Sequence, residues 1–160
     1  MTGQDHLATA VWEADRHLAV LEAALRDWYA DPASDLEAVE SDQEKVRLLD
    51  QLLFRFTKLQ DAMGLRLVPT TLSTFSEPFE DWPMIDRLNR LEKLGFLNVT
   101  DWLRWPEIRN RLAHEYPDQA ETRFAAIMLA ISAADGLAEI YRNWRNTLIE
   151  ANAVQHISNH

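Results

Sequence analysis

The sequence predicts an all-α protein, an antiparallel bundle of about five main helices. Glycine and proline are scarce, 4 and 6 among 160 residues. Apolar residues recur at helical spacing almost throughout, and no segment alternates with period two for long enough to form a strand. Short connections between helices imply antiparallel neighbours.

The first helix is expected over residues 5–30. Leu7, Val11, Trp12, Ala14, Leu18, Leu21, Leu25 and Trp28 form one stripe, and Asp31-Pro32 ends it. The second is expected to start near Ser41, with Ser41 and Glu44 as a capping box. It runs through Val46, Leu49, Leu53, Phe56 and Leu59 to Met63, with Gly64 as its C-terminal cap. Pro69, Pro78 and Pro83 break the pattern over 65–82, where Thr70, Thr71, Ser73 and Thr74 can start a short helix. Residues 84–94 form a compact helix with Ile85, Leu88, Leu91 and Leu94 in register, stopped by Gly95. Thr100 is expected to cap the next helix, which carries Trp102, Leu103, Ile108 and Leu112 and ends at Pro117. Pro106 inside it is expected to kink it or restart it at Glu107. The last helix begins near Asp118 and reaches about Ala151, with Phe124, Ile127, Ile131, Ala134, Leu137, Tyr141, Trp144 and Leu148 on its apolar face. The length and the mass of 18.5 kDa predict one domain over 1–160, with a core over about 5–151 and a polar tail over 152–160. The six tryptophans sit mostly at core spacing.

Composition removes several function classes. There is no cysteine, so disulfides, thiolate zinc sites and thiol catalysis are excluded. The glycines are too far apart for a phosphate-cradling loop, and there is no G-x-S-x-G elbow. Five histidines show no metal-ligand spacing beyond His156 and His160 in the polar tail, so no metal and no cofactor are expected. No run of 18 apolar residues and no basic-then-apolar start is present, which predicts a soluble cytoplasmic protein with no membrane partner.

The net charge of −10 argues against a nucleic-acid partner at first sight. Its distribution is uneven. Residues 1–50 carry −8, 51–75 carry +2, 76–86 carry −4, 87–111 carry +3 and 112–160 carry −3. The basic window 87–111 holds Arg87, Arg90, Lys93, Arg104, Arg109 and Arg111, a place for a phosphate-bearing ligand despite the global sign. The plainer reading is helix-surface arginines paired with Glu92 and Glu107.

The stretch Arg109-Asn110-Arg111-Leu112-Ala113-His114-Glu115-Tyr116 lies at the end of this window. On a helix Asn110 and His114 share a face, and Arg109 reaches the same neighbourhood. Arginine offers phosphate a planar fork of donors; histidine moves protons near neutral pH. RNA carries its own nucleophile, the 2′-hydroxyl, so cleavage needs a base, an acid and charge stabilisation, but no metal. One histidine per chain supplies one proton-transfer group. A two-fold homodimer supplies both. The structural alternative is a histidine meeting exposed carbonyls at a helix C-terminus, a surface arginine, and a tyrosine packed on the bundle.

Arg109, the polar Asn110 after it, and His114 after four intervening positions resemble the signature of the HEPN superfamily. Tyr116, two residues past the histidine, is similar to the branch of helical toxins paired with minimal nucleotidyltransferases (the HepT–MntA type). Residues 86–95 and 52–61 resemble flanking helices of such proteins, so the similarity spans roughly 45–150. Glu115 departs from the aspartate more usual there. The resemblance implies a HEPN-like two-fold dimer and a metal-independent endoribonuclease acting as a toxin on RNA. Arg109 then binds the scissile phosphate, His114 handles protons, and Asn110 orients one or the other. Arg104 and Arg111 are flanking candidates for RNA phosphates. Tyr116 is the hydroxyl that a cognate nucleotidyltransferase antitoxin modifies with AMP, adding charge and bulk that repel RNA. The competing readings are a non-catalytic, nucleotidyltransferase-associated substrate- or nucleotide-binding subunit, and an interaction module with no chemistry.

Overall fold

The computed structural model describes residues 2–113 and 119–154, and these are helical almost throughout, without strands. The elements in order are α1 (Gly3–Ala30), α2 (Leu36–Glu40), α3 (Gln43–Ala62), a π-helical turn (Met63–Leu67), α4 (Val68–Thr74), α5 (Met84–Lys93), α6 (Val99–Ala113) and α7 (Ala120–Glu150). The long helices are α1, α3, α5, α6 and α7, which match the five expected from periodicity. The short α2 adds to that expectation. It holds Leu36 and Val39 in the core behind an N-cap at Asp35.

The α1 stripe is buried as the spacing predicts, except for Trp12, which is 56% exposed. α1 packs along α3 and also meets α4 and α7. α7 carries Ile131, Ala134, Leu137, Tyr141, Trp144 and Leu148 into the same core. Polar groups on α7 are satisfied where they are buried. The Tyr141 hydroxyl donates to the Val11 carbonyl at 3.2 Å and to Asp15, and Arg145 Nε reaches the same carboxylate at 3.1 Å. Trp144 Nε1 donates to Thr71 Oγ1 at 3.1 Å, tying α7 to α4. α7 is also long and apolar enough to cross a membrane by length and composition, although the sequence has no unbroken apolar run. Here it lies against α1, α2, α3 and α6.

Several local expectations are corrected. α3 is capped by Asp42, whose side chain accepts from Glu44 N at 3.0 Å; Ser41 instead closes α2. α6 begins one residue before Thr100. Asn98 Oδ1 accepts from Asp101 N at 3.1 Å and Glu92 Oε2 from Val99 N at 2.7 Å, so two side chains serve the first amides in place of Thr100. α6 runs unbroken through Pro106 and does not restart at Glu107. Pro106 is exposed, so its ring sits on the solvent side.

Gly64 does not cap α3. The chain stays helical through the π turn into α4, and a Cβ on Gly64 would lie 3.3 Å from Trp102 Cζ2. The glycine is there for close approach of α6. Val68 N–H bonds back to the Met63 carbonyl, closing the widened turn, and Pro69, which has no N–H, follows in the first turn of α4, where none is needed. Gly95, with φ of +89°, stops α5 as predicted. Ile85 is 44% exposed, so the α5 stripe begins at Leu88.

Candidate functional site

α6 is placed by its aromatic face. Trp102, Trp105 and Ile108 are buried, and the two indoles meet edge to face at 5.2 Å between centroids. Trp102 rests against Gly64, which fixes the distance of α6 from α3. Arg109 therefore emerges beside α3. Its Nη1 donates to Asp61 Oδ1 at 2.9 Å and lies 3.4 Å from Gln60 Oε1. Gln60 is buried, with 5% exposure, and this guanidinium satisfies its carbonyl. Arg109 and Asp61 are each about a third exposed.

A guanidinium has five N–H donors. Among the described residues, Arg109 uses only Nη1, leaving Nε and Nη2 with no acceptor. These two nitrogens form the side-on fork that matches two phosphate oxygens. Arg109 is thus anchored through one nitrogen while keeping a bidentate edge.

The other candidates do not converge on it. Arg104 is exposed, 4.0 Å from Asp101, on the wall of a cleft of about 590 Å³ between α6 and α7 that also includes Trp105, Ile108, Leu129 and Glu139. Five residues along a helix rotate Arg104 about 140° from Arg109. Arg111 pairs with Glu107 at 3.1 Å and points about 160° from Arg109. Asn110 is exposed and makes no hydrogen bond among the described residues. His114 and Tyr116 lie outside the described residues, as do His156 and His160.

The basic window 87–111 is therefore not one patch. Arg87 donates to the Trp82 and Glu80 carbonyls and stacks on Phe79, and Arg90 is held by Glu77 at 2.8 Å. Both secure the 75–83 connection. The expected Glu107 pairing is present, whereas Glu92 serves the α6 N-terminus. Sequence reading missed Asp61 and Gln60 as partners of Arg109. The available signal was Gln60, a polar residue next to the apolar positions of α3. Two further tyrosines are engaged. Tyr141 is fully buried, and burial with its bond to Asp15 pushes its phenol pKa up. Tyr29 donates to Asp135, and that bond pushes its phenol up to about 12.

No protein-family model, no curated protein and no solved structure matches this chain.

Proposed function

We propose that this chain is a HEPN-like, metal-independent endoribonuclease, a cytoplasmic toxin of a two-component module. The observation that carries the reading is Arg109, tethered through Nη1 to Asp61 and Gln60, with Nε and Nη2 left as a phosphate fork five residues before His114. In the reaction the RNA 2′-hydroxyl loses a proton and attacks the adjacent phosphorus. The 5′ oxygen departs with a proton, leaving a 2′,3′-cyclic phosphate. Arg109 holds the charge that builds on the phosphoryl oxygens. His114 moves one proton, and His114 of a second copy moves the other, so the site is completed across a two-fold homodimer. Asn110 orients the imidazole, and Arg104 and Arg111 contact flanking phosphates. A cognate minimal nucleotidyltransferase silences the protein by placing AMP on Tyr116.

The test is cleavage of RNA by the purified dimer in chelator, followed by product-end analysis. His114→Ala and Arg109→Ala are expected to remove cleavage while the helical signal and melting temperature persist. Cleavage unchanged in both folded variants would overturn the reading.

The second reading is a non-catalytic subunit of a nucleotidyltransferase complex, binding its substrate or nucleotide. The Asp61 carboxylate on Arg109 favours the absence of cleavage in this reading, because it offsets the cationic charge that would meet the scissile phosphate; a nucleotide would then bind elsewhere on the chain. It predicts a tight complex with the nucleotidyltransferase and no cleavage by the dimer under any condition.

A further inference from the structure

A second basic cluster lies on the outer ridge between α1 and α3. Arg16, Arg55 and Lys58 have no carboxylate within ion-pairing distance among the described residues, in a chain with 26 acidic side chains. Of the carboxylates nearby, Glu13 is taken by both ends of the Arg66 guanidinium and lies 3.9 Å from His17 Nε2, and Asp61, one turn past Lys58 on α3, is taken by Arg109. The three cations surround His17. Arg55 Nη1 donates to His17 Nδ1 at 3.0 Å, which requires a neutral ring. Burial first, then Arg55, Lys58 and Arg16, hold its pKa below the ordinary imidazole range.

Two large aromatic side chains stand open beside these cations. Trp12 is 56% exposed and Phe54 is 53% exposed. Arg16 lies 4.8 Å from the Trp12 ring centroid, and Arg55 and Lys58 lie 5.6 and 5.5 Å from that of Phe54. Packing does not explain either ring, since both are on the solvent side of helices whose opposite faces form the core. Like charges gathered without counter-ions repel one another, which is a cost the fold does not need to bear. That cost is relieved by a polyanion. A polyanion that also has flat faces for the rings is a polynucleotide with unstacked bases.

We infer that the α1–α3 ridge, through Arg16, Arg55 and Lys58 with Trp12 and Phe54, binds single-stranded nucleic acid. The cations lie over these rings, so a nucleotide on the ridge draws them onto its phosphates and sets its base against Trp12 or Phe54 in their place. Recognition is by backbone charge and stacking, without base-edge reading. Asp61, which holds Arg109, lies one turn beyond Lys58 on α3, so the ridge runs up to the Arg109 end of α6; its assignment does not depend on whether that end cuts RNA.

The probe is a 2′-O-methyl oligouridylate of about 12 nucleotides, which cannot be cut through a 2′-hydroxyl. Binding to the full chain is followed by fluorescence anisotropy over a salt series. An oligodeoxythymidylate of the same length separates a general single-strand preference from one for ribose. Arg16→Ala with Lys58→Ala is expected to weaken binding at least tenfold and to flatten the salt dependence, by about 0.7 in log–log slope for each phosphate no longer neutralised. Trp12→Ala and Phe54→Ala are each expected to weaken it at least fivefold without changing that slope. Failure of the native chain to bind either oligomer overturns the assignment. So does native affinity in the ridge variants, or equal affinity for polyglutamate, which points to an acidic protein partner. Arg109→Ala separates the two sites as a background: it removes cleavage under the function proposed above, and the ridge substitutions made in that background are still expected to weaken oligouridylate binding at least tenfold. If no cleavage is found but the ridge variants weaken binding, only the cleavage reading fails.

Discussion

The guanidinium of Arg109 on α6 is bound to the carboxylate of Asp61 on α3, Nη1 to Oδ1 at 2.9 Å, across 48 positions of sequence. Both groups are about a third exposed, so the pair contributes little to stability, about 0.2–1 kcal/mol. Its consequence is orientation, because the anchored nitrogen fixes where the Nε–Nη2 edge, which meets no acceptor among the described residues, points. Asp61→Asn is expected to change stability by less than about 1 kcal/mol and to lower kcat for RNA cleavage about tenfold, with KM nearly unchanged, since a misplaced group costs rate before affinity. Cleavage kinetics and a thermal melt on one preparation check both halves. An unchanged kcat would show that Asp61 does not position Arg109.

How close α6 comes to α3 is set by Gly64 and Trp102. A valine at 64 needs space that Trp102 occupies, and Trp102 is braced by Trp105. Gly64→Val is expected to destabilise the fold by about 1–3 kcal/mol, the usual cost of overpacking. It also moves Arg109 away from Asp61 and Gln60, so cleavage falls further than the melting temperature alone implies. Chemical denaturation and activity below the transition measure the two effects.

Periodicity located the long helices because their buried positions recur every three to four residues, and the stripes of α1 and α7 could be read directly. Caps were harder to read. Ser41 and Thr100 have the right chemistry, but Asp42 and Asn98 next to them have it too, and only the backbone geometry selects between neighbours. Gly64 had the composition of a cap, and its role was set by an indole 38 residues away. The candidate site shows the same limit. Arg109 was singled out from the sequence as a candidate, while its contacts with Asp61 and Gln60 were not, because they lie 48 and 49 positions away and only the polar Gln60 among the apolar positions of α3 hinted at a partner. The +3 of residues 87–111 dispersed once each arginine found its own acceptor. The smaller +2 of residues 51–75 combined with Arg16 on α1 into an uncompensated cluster that no single sequence window contains.

Thr71 is fully buried, and its hydroxyl receives the Trp144 indole N–H at 3.1 Å. Thr71→Val keeps the shape and removes the acceptor, leaving a buried donor unsatisfied. A loss of about 1–3 kcal/mol is expected, whereas Thr71→Ser keeps the acceptor and is expected to lose less. Equal losses in the two variants would assign the effect to the methyl group.

If AMP is transferred to this chain as proposed, the three tyrosines differ as acceptors. Tyr141 is buried with its hydroxyl bonded to Val11 and Asp15, so it is closed to a transferase in the folded protein. Tyr29 is 54% exposed and is the competing acceptor. With the neighbouring nucleotidyltransferase, ATP and magnesium, adenylation is expected to disappear in Tyr116→Phe and to persist in Tyr29→Phe. Intact-mass spectrometry gives the answer, and the reverse pattern would move the modification site to the α1–α7 seam.

His17 acts on the acid end of the pH–stability profile, and Tyr29, together with the more deeply buried Tyr141, on the alkaline end. His17 holds its proton less tightly in the folded chain, through burial and then the Arg55, Lys58 and Arg16 charges, with Glu13 opposing. The unfolded chain therefore binds more protons as pH falls through the ordinary histidine value of about 6.5, and stability declines from there downward. At the other end, the Tyr29 phenol is raised to about 12 by its bond to Asp135. That contribution is intact below the unfolded value of about 10 and is lost as pH rises from there toward 12. His17→Gln is expected to flatten the acid limb between about pH 7 and 5, and Tyr29→Phe to remove its own part of the alkaline limb above about 10 while the part due to Tyr141 persists, each leaving the other limb as it was. Urea denaturation across pH measures both. A His17→Gln variant that keeps the full acid decline would place that decline in the carboxylates, and the Arg55–His17 hydrogen bond would then have no part in it.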